Sequence, residues 1–278
     1  MRGTNFFVKL IMCFNFTGRV AFVGKAFFYG DVMKVKVKID EGSSSCTSNE
    51  LCCKKNIQQR ARQWSPSVRT SWKQVSDRFP SQQECLAAFL VLAAAEVLEG
   101  VKPANLVRIS HKPYACGRNI AELWKRDGQQ LMASSPLQAF NLTTDPNRYL
   151  LLIYHPQLLE KRLNSLTSIA FLSRLGYRHP QSISAVLAQL AERYDRDNEL
   201  PHEIGWFLGY PLKDVEGFMG QRALEVTGQR LWKIYGHTHR SYALADLYQK
   251  HHHKVAHQLC ERQNNSVDLL LRSRDVAA

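Results

Sequence analysis

The sequence predicts an α+β fold: a small, mainly antiparallel sheet of three or four strands packed with about six helices, in a single domain behind a disordered N-terminal extension. Three observations carry this. Apolar residues recur at helical spacing in several segments between residues 81 and 260. Two β-like runs, LQAFNLTT and RYLLLIYH, flank Asp145-Pro146-Asn147 as the arms of a hairpin. Residues 1–79 share no amphipathic period; they hold an alternating MKVKVKID (33–40), a polar EGSSSCTSNE and a basic segment broken by Ser and Pro. They are expected to be a basic, poorly ordered extension, with Met33 an alternative start.

The domain is expected over residues 80–263, followed by a tail at 264–278. Ser81 and Glu84 have capping-box spacing before an apolar helix that Gly100 ends. VKPANLVRIS then turns into a short strand, and IAELWKRD (120–127) suits a helix. After the hairpin, PQLLEKRLNSLTSIAFLSRLG carries Leu158, Leu159, Leu163, Leu166, Ile169 and Leu172 at helical spacing and predicts one long helix stopped by Gly176. PQSISAVLAQLAERYD predicts another. Two short helices bracket Gly209-Tyr210-Pro211, RLWKIYG (230–236) alternates like a strand, and a last helix runs through SYALADLYQKHHHKVAHQLCER.

Net charge is +13, but the basicity sits at the front: residues 1–80 hold 14 Lys/Arg and 5 Asp/Glu, residues 81–200 hold 13 and 11, and residues 201–278 hold 10 and 8. The domain is therefore nearly neutral, which weighs against a nucleic-acid partner. No apolar run reaches the ~20 residues of a membrane span. Seven cysteines at irregular spacing, with no CxxC pair, fit reduced thiols in a cytoplasmic protein rather than a disulfide framework or structural zinc.

Four constellations could carry chemistry. Gly205, Gly209 and Val215 have helix-turn-helix spacing over residues 203–219. The second helix would offer Lys213 against Asp214 and Glu216, with Arg222 well down its length, a poor surface for phosphates. His202 and Glu203 could act as acid/base partners in a small enzyme, although the zincin pattern would need a His where Trp206 stands. His253, His257 and Cys260 share a helical face and could ligate a soft metal; an exposed polar face is the plainer reading. Lys102 and Asn105, in GVKPAN, could present a cation and an amide to an anion, or form a turn held by the Asn. No G-x-S-x-G, paired-carboxylate motif or nucleotide loop occurs.

PHEIGWFLGYPLKDVEGF (201–218) and LWKIYG (231–236) are similar to the signature HEIG-x-FLGYPL-x-DV-x-GF … WK-x-YG of an uncharacterised bacterial domain-of-unknown-function family. GVKPANL (100–106), LLLIYHPQLLE (150–160) and FLSRLGY (171–177) extend the resemblance over residues 84–260. The family has no assigned activity; some members sit in iron-limitation gene neighbourhoods, which implies iron or haem handling. Members carry a Cys-containing motif where this chain reads AAAEVLEG (93–100), so no thiol-based mechanism of the family is expected to carry over, and Cys85, on an apolar helix, is expected to be buried and inert. The combined expectation is a ligand-binding or accessory module, its small-molecule or protein ligand docking near Lys102, Asn105, His202, Glu203 and Tyr210, with metal or haem as the cofactor class. No sequence feature sets the oligomeric state.

Overall fold

A computed structural model describes residues 69–114, 116–146, 148–261 and 265–271. Among them are eleven helices, one 3-10 turn and two small antiparallel sheets. The α+β class is as the sequence predicts, with the strands divided between two sheets. The expectations for residues 1–68 and 272–278 lie outside the described residues.

The core is organised around α2 (Gln82–Ala93), which follows the short α1 (Trp72–Val75) and the 3-10 turn Ser76–Arg78. Ser81 caps α2 as its spacing predicts, accepting from Glu84 N at 3.1 Å while its own N–H donates to Glu84 Oε2 at 3.2 Å. Every residue from Cys85 to Ala93 is buried. A helix apolar all round needs neighbours on every side. It packs on α4 (Ile120–Ala133), α10 (His239–Cys260) and α11 (Ser266–Leu271). Beyond Ala94 the chain continues as α3 (Ala95–Leu98), and Gly100 ends it at φ +69°.

The apolar core takes in residues on both sides of the 80–263 span. Trp72 and Val75 are 1% exposed, and Leu269 and Leu270 are buried against the same core. The compact unit therefore takes in residues from 70 to 271. α11 went unread because its SVDLLL is too short to show a period.

The first sheet has the order β1-β3-β2, from β1 (Ala104–Ile109), β2 (Gln138–Asn141) and β3 (Tyr149–Tyr154). β2 and β3 form the expected antiparallel hairpin; β1 pairs β3 with Asn105 opposite Ile153 and Val107 opposite Leu151. Residues opposite each other share a face. Asn105, Val107, Ile109, Leu151 and Ile153 thus point together, and all but Asn105 belong to the apolar cluster around α2. Leu150 and Leu152, on the other face, are buried too, which is why β3 reads YLLLIY without alternation.

The single long helix expected over 156–176 is instead α5 (Pro156–Leu163) and α6 (Leu166–Arg174). Ser165 breaks it by capping α6, its side chain accepting from Ser168 N. α7 (Ile183–Asp197) ends at Asn198 in the left-handed region, φ 48°. α8 (Ile204–Phe207) and α9 (Leu212–Phe218) flank the Gly209 turn. The 230–236 run supplies β5 (Lys233–Tyr235), paired with β4 (Val226–Gln229) in the second sheet. No helix among the described residues is long and apolar enough to cross a membrane.

Candidate functional site

The register that turns Val107 inward also turns Asn105 inward, onto the junction of α2 and α3. Its Nδ2 donates to Ala93 O and to Glu96 Oε2, both at 2.8 Å, and its Oδ1 accepts from Lys102 Nζ. The N–H groups of Val101 and Lys102 donate to Glu96 O at 3.1 and 3.2 Å, folding the chain back after Gly100. Lys102, Asn105 and Glu96 are 4%, 5% and 0% exposed. An isolated charge at such depth would be expensive; here the ammonium and the carboxylate balance through the amide between them. His252, also buried, lies with Nδ1 3.7 Å from Glu96 Oε1 and Nε2 3.2 Å from Thr70 O. The Lys102 ammonium stands 5.3 Å from the Tyr248 ring centroid and 5.7 Å from that of Tyr210, which itself stacks on Trp232 at 4.4 Å.

A second cation borders this seam. Arg162, on α5, donates from Nη2 to Tyr210 O at 2.8 Å and lays its guanidinium 4.7 Å over the Trp206 ring. Its Nε is buried and has no hydrogen-bond partner among the described residues. Burial pulls its pKa down to about 10, opposed by its interaction with Tyr248, so it remains a cation at neutral pH. Tyr248 donates to Gly209 O at 3.1 Å, and burial pushes its phenol far above the usual range. Lys102 has Glu96 to balance it; no carboxylate among the described residues stands within ion-pair distance of Arg162.

The signature stretch 201–236 builds a different thing. Asp214, 2% exposed, accepts from Trp232 Nε1 and Tyr235 N at 2.9 Å, and from Ser241 Oγ and Lys213 Nζ at 2.6 Å. It ties α9 to the second sheet and to α10. Gly217, which costs the helix about 1 kcal/mol relative to Ala, makes room for a ring: a Cβ there would sit 2.6 Å from Tyr235 Cγ. The helix-turn-helix spacing is thus realised as a packed corner. Lys213 is spent on Asp214 and Tyr235 O, and Arg222 faces Glu216 at 3.8 Å.

The structure brings Lys102, Asn105 and Tyr210 together, and gives His202 and Glu203 other surroundings. Glu203 is buried and accepts at Oε1 from Tyr177 Oη and Arg193 Nη1, both at 3.0 Å, with the Arg193 guanidinium 4.4 Å over the Tyr177 ring. Burial and the Glu203 charge drive the Tyr177 phenol upward. His202 packs edge-on against Phe218 at 5.0 Å. His253, His257 and Cys260 do lie on one helix, α10, but no group of three or more His, Cys, Asp or Glu side chains among the described residues is placed to hold a metal. His257 is 78% exposed and faces Glu261 at 3.2 Å.

Glu96, Arg162 and Tyr248 escaped the sequence reading, and Asp214 entered it only as a carboxylate of the would-be recognition helix. Glu96 had a signal: it is the first carboxylate after eleven uncharged residues in CLAAFLVLAAAEVLEG, where an acid must be paired. Arg162 had none, since it looks like any cation on the polar side of an amphipathic helix.

These features define an α+β domain with a buried, charge-balanced seam bordered by one unbalanced cation. The chain belongs to the family described as Protein of unknown function (DUF3793), whose model matches residues 90–270. The resemblance noted in the sequence is a true membership. Neither the curated proteins nor the solved structures contain a match.

Proposed function

We propose that the domain is a binding module for a small anionic ligand, taken up beside Arg162, Tyr210 and the Lys102–Asn105 pair. The observation that carries this reading is Arg162: a largely desolvated guanidinium whose buried Nε has no partner, and which has no carboxylate at ion-pair distance, among the described residues. A carboxylate or phosphate oxygen would supply both the missing acceptor and the missing charge. Lys102, held by Asn105 and standing against the Tyr210 and Tyr248 rings, fixes the Tyr210 side of the site. Ferric carboxylate chelates, and haem through its propionates, are anions of this class, which accords with the iron link that the family resemblance suggests; either would be cargo. The free thiols of Cys85, Cys116 and Cys260 fit a reducing, cytoplasmic setting.

Two other readings draw less support. Acid/base work at Glu203 would have to break its pairing with Arg193 and Tyr177. Duplex recognition through residues 203–219 would have to free Lys213.

The test is thermal unfolding of the full chain against citrate, ferric citrate, inorganic phosphate, pyrophosphate and haem. At about 100 times its Kd, a ligand of the folded state adds ~2.7 kcal/mol of stability. At least one anion is expected to raise Tm with concentration, and Arg162→Gln to keep the fold while losing that response. A panel without any response, or an Arg162→Gln protein that responds like the parent, overturns the proposal.

A further inference from the structure

Away from that seam, two thiols face each other. Cys85 lies in the first turn of α2 and is fully buried; Cys116 lies in the loop joining β1 to α4 and is half-buried. Their sulfurs are 3.8 Å apart, a van der Waals contact between residues 31 apart in sequence. Closing a disulfide at ~2.0 Å requires the sulfurs to approach by about 1.8 Å. Arg118 stands beside the pair, its guanidinium donating to Phe79 O and Pro80 O at 2.8 Å each and its positive charge favouring the Cys85 thiolate. Tyr114, two residues before Cys116, packs edge-on against Phe89 at 5.5 Å, and burial raises its phenol pKa.

We propose that Cys116 and Cys85 form a hydroperoxide-reactive pair, in which Cys116 takes up the oxygen and Cys85 resolves it as a Cys85–Cys116 disulfide. In the first step the Cys116 thiolate attacks the terminal oxygen of a hydroperoxide. The S–O bond forms, the O–O bond breaks, and the departing alkoxide or hydroxide is protonated; Cys116 becomes a sulfenic acid. In the second step Cys85 Sγ attacks Cys116 Sγ. The S–S bond forms and the S–O bond breaks, with hydroxide taking the Cys85 proton to leave as water. Two thiols are oxidised by two electrons, and one hydroperoxide is reduced to an alcohol (or water) plus water.

The order of roles follows from placement. Cys116 is reachable from solvent; Cys85 is not. Burial pushes the Cys85 thiol up to about 11 against the opposing positive charge of Arg118, so it stays protonated at neutral pH and is a poor first nucleophile. Once Cys116 carries a sulfenic acid, proximity replaces reactivity, and the Arg118 guanidinium is positioned to stabilise negative charge developing on Cys85. The product would staple the start of α2 to the loop entering α4.

The test is peptide mapping of the full chain, reduced, desalted, exposed to hydrogen peroxide, alkylated and digested with trypsin. The expected product is a crosslink, two hydrogens lighter than the sum of its parts, between peptide 79–108 with Cys85 and peptide 109–118 with Cys116. Cys85→Ala, a small apolar replacement in an apolar helix, is expected to leave Cys116 trapped as a dimedone adduct. Cys116→Ser is expected to leave Cys85 fully reduced. An unmodified Cys85 beside an over-oxidised Cys116 in the parent protein, or a Cys116 crosslinked to a different cysteine, overturns the proposal without needing either variant to fold.

Discussion

The indole Nε1 of Trp232 donates to Asp214 Oδ2 at 2.9 Å, joining the two halves of the longest motif in the chain. Asp214 comes from YPLKDVEGF and Trp232 from LWKIYG, and the carboxylate also collects Tyr235 N, Ser241 Oγ and Lys213 Nζ. With four donors on two oxygens, its capacity is filled. The motif is thereby a scaffold that orients the Gly209–Pro211 turn, and with it the Tyr210 ring that closes over Lys102.

Removing that carboxylate leaves the Trp232, Tyr235 and Ser241 donors without their acceptor and takes the counter-charge from the Lys213 ammonium, which keeps Tyr235 O. Asp214→Ala is expected to cost about 3–5 kcal/mol, and Ser241→Ala about 1 kcal/mol, in urea unfolding. An Asp214→Ala protein within 1 kcal/mol of the parent would show that the network contributes little.

Gly209 sits at φ +86°, and a Cβ there would meet Tyr248 Oη at 2.6 Å and Pro103 Cδ at 2.7 Å. Gly220 has a similar φ, +69°, but open space around it. The comparison separates backbone strain from collision. Gly220→Ala is expected to lose about 1 kcal/mol, and Gly209→Ala at least twice that, because one of its obstacles is a proline ring that cannot swing aside. Equal losses in thermal unfolding would assign the whole effect to φ.

Glu203 tests whether the His202-Glu203 pair serves structure or chemistry. Glu203→Ala strips a buried acceptor from Arg193 and Tyr177 and is expected to cost about 3 kcal/mol; Tyr177→Phe, which removes one donor, about 1 kcal/mol. Denaturant titration of the two variants and their double mutant gives the coupling directly. A fully stable Glu203→Ala protein would favour the catalytic alternative.

His155, 6% exposed and with a buried, unpartnered Nδ1, has its pKa lowered from 6.5 by burial. The folded state therefore holds this ring neutral where the unfolded chain would protonate it. Sign follows: below pH 6.5 the unfolded state binds the extra proton, and stability falls as pH drops toward the folded pKa. The stability gap between the parent and His155→Asn is expected to narrow from pH 7.5 to pH 5.5, with an NMR titration of the ring placing its midpoint below 6.5. A gap that widens on acidification would mean the buried imidazole is protonated.

Local patterns in the chain were enough for several of its elements. The Ser81–Glu84 box, the 138–154 hairpin, the Gly209 turn and the α10 helix each depend on interactions within a few residues, so their signals are written at short range. Lys102 and Asn105 could be singled out for the same reason, being three residues apart across one turn. The break at Ser165 shows the limit of even local reading, since an apolar stripe continued across it while a single hydroxyl capped a new helix.

Tertiary structure alone decided which charges are balanced. Glu96 meets Asn105 because β1–β3 register turns Asn105 toward α2; Asp214 meets Trp232 and Ser241 across 18 and 27 residues; Cys85 meets Cys116 across a strand and a loop; Arg162, held against the Tyr210 turn, has no carboxylate at ion-pair distance among the described residues. The cost of a buried charge depends on what lies within ~4 Å in space, and spacing along the chain carries no measure of that.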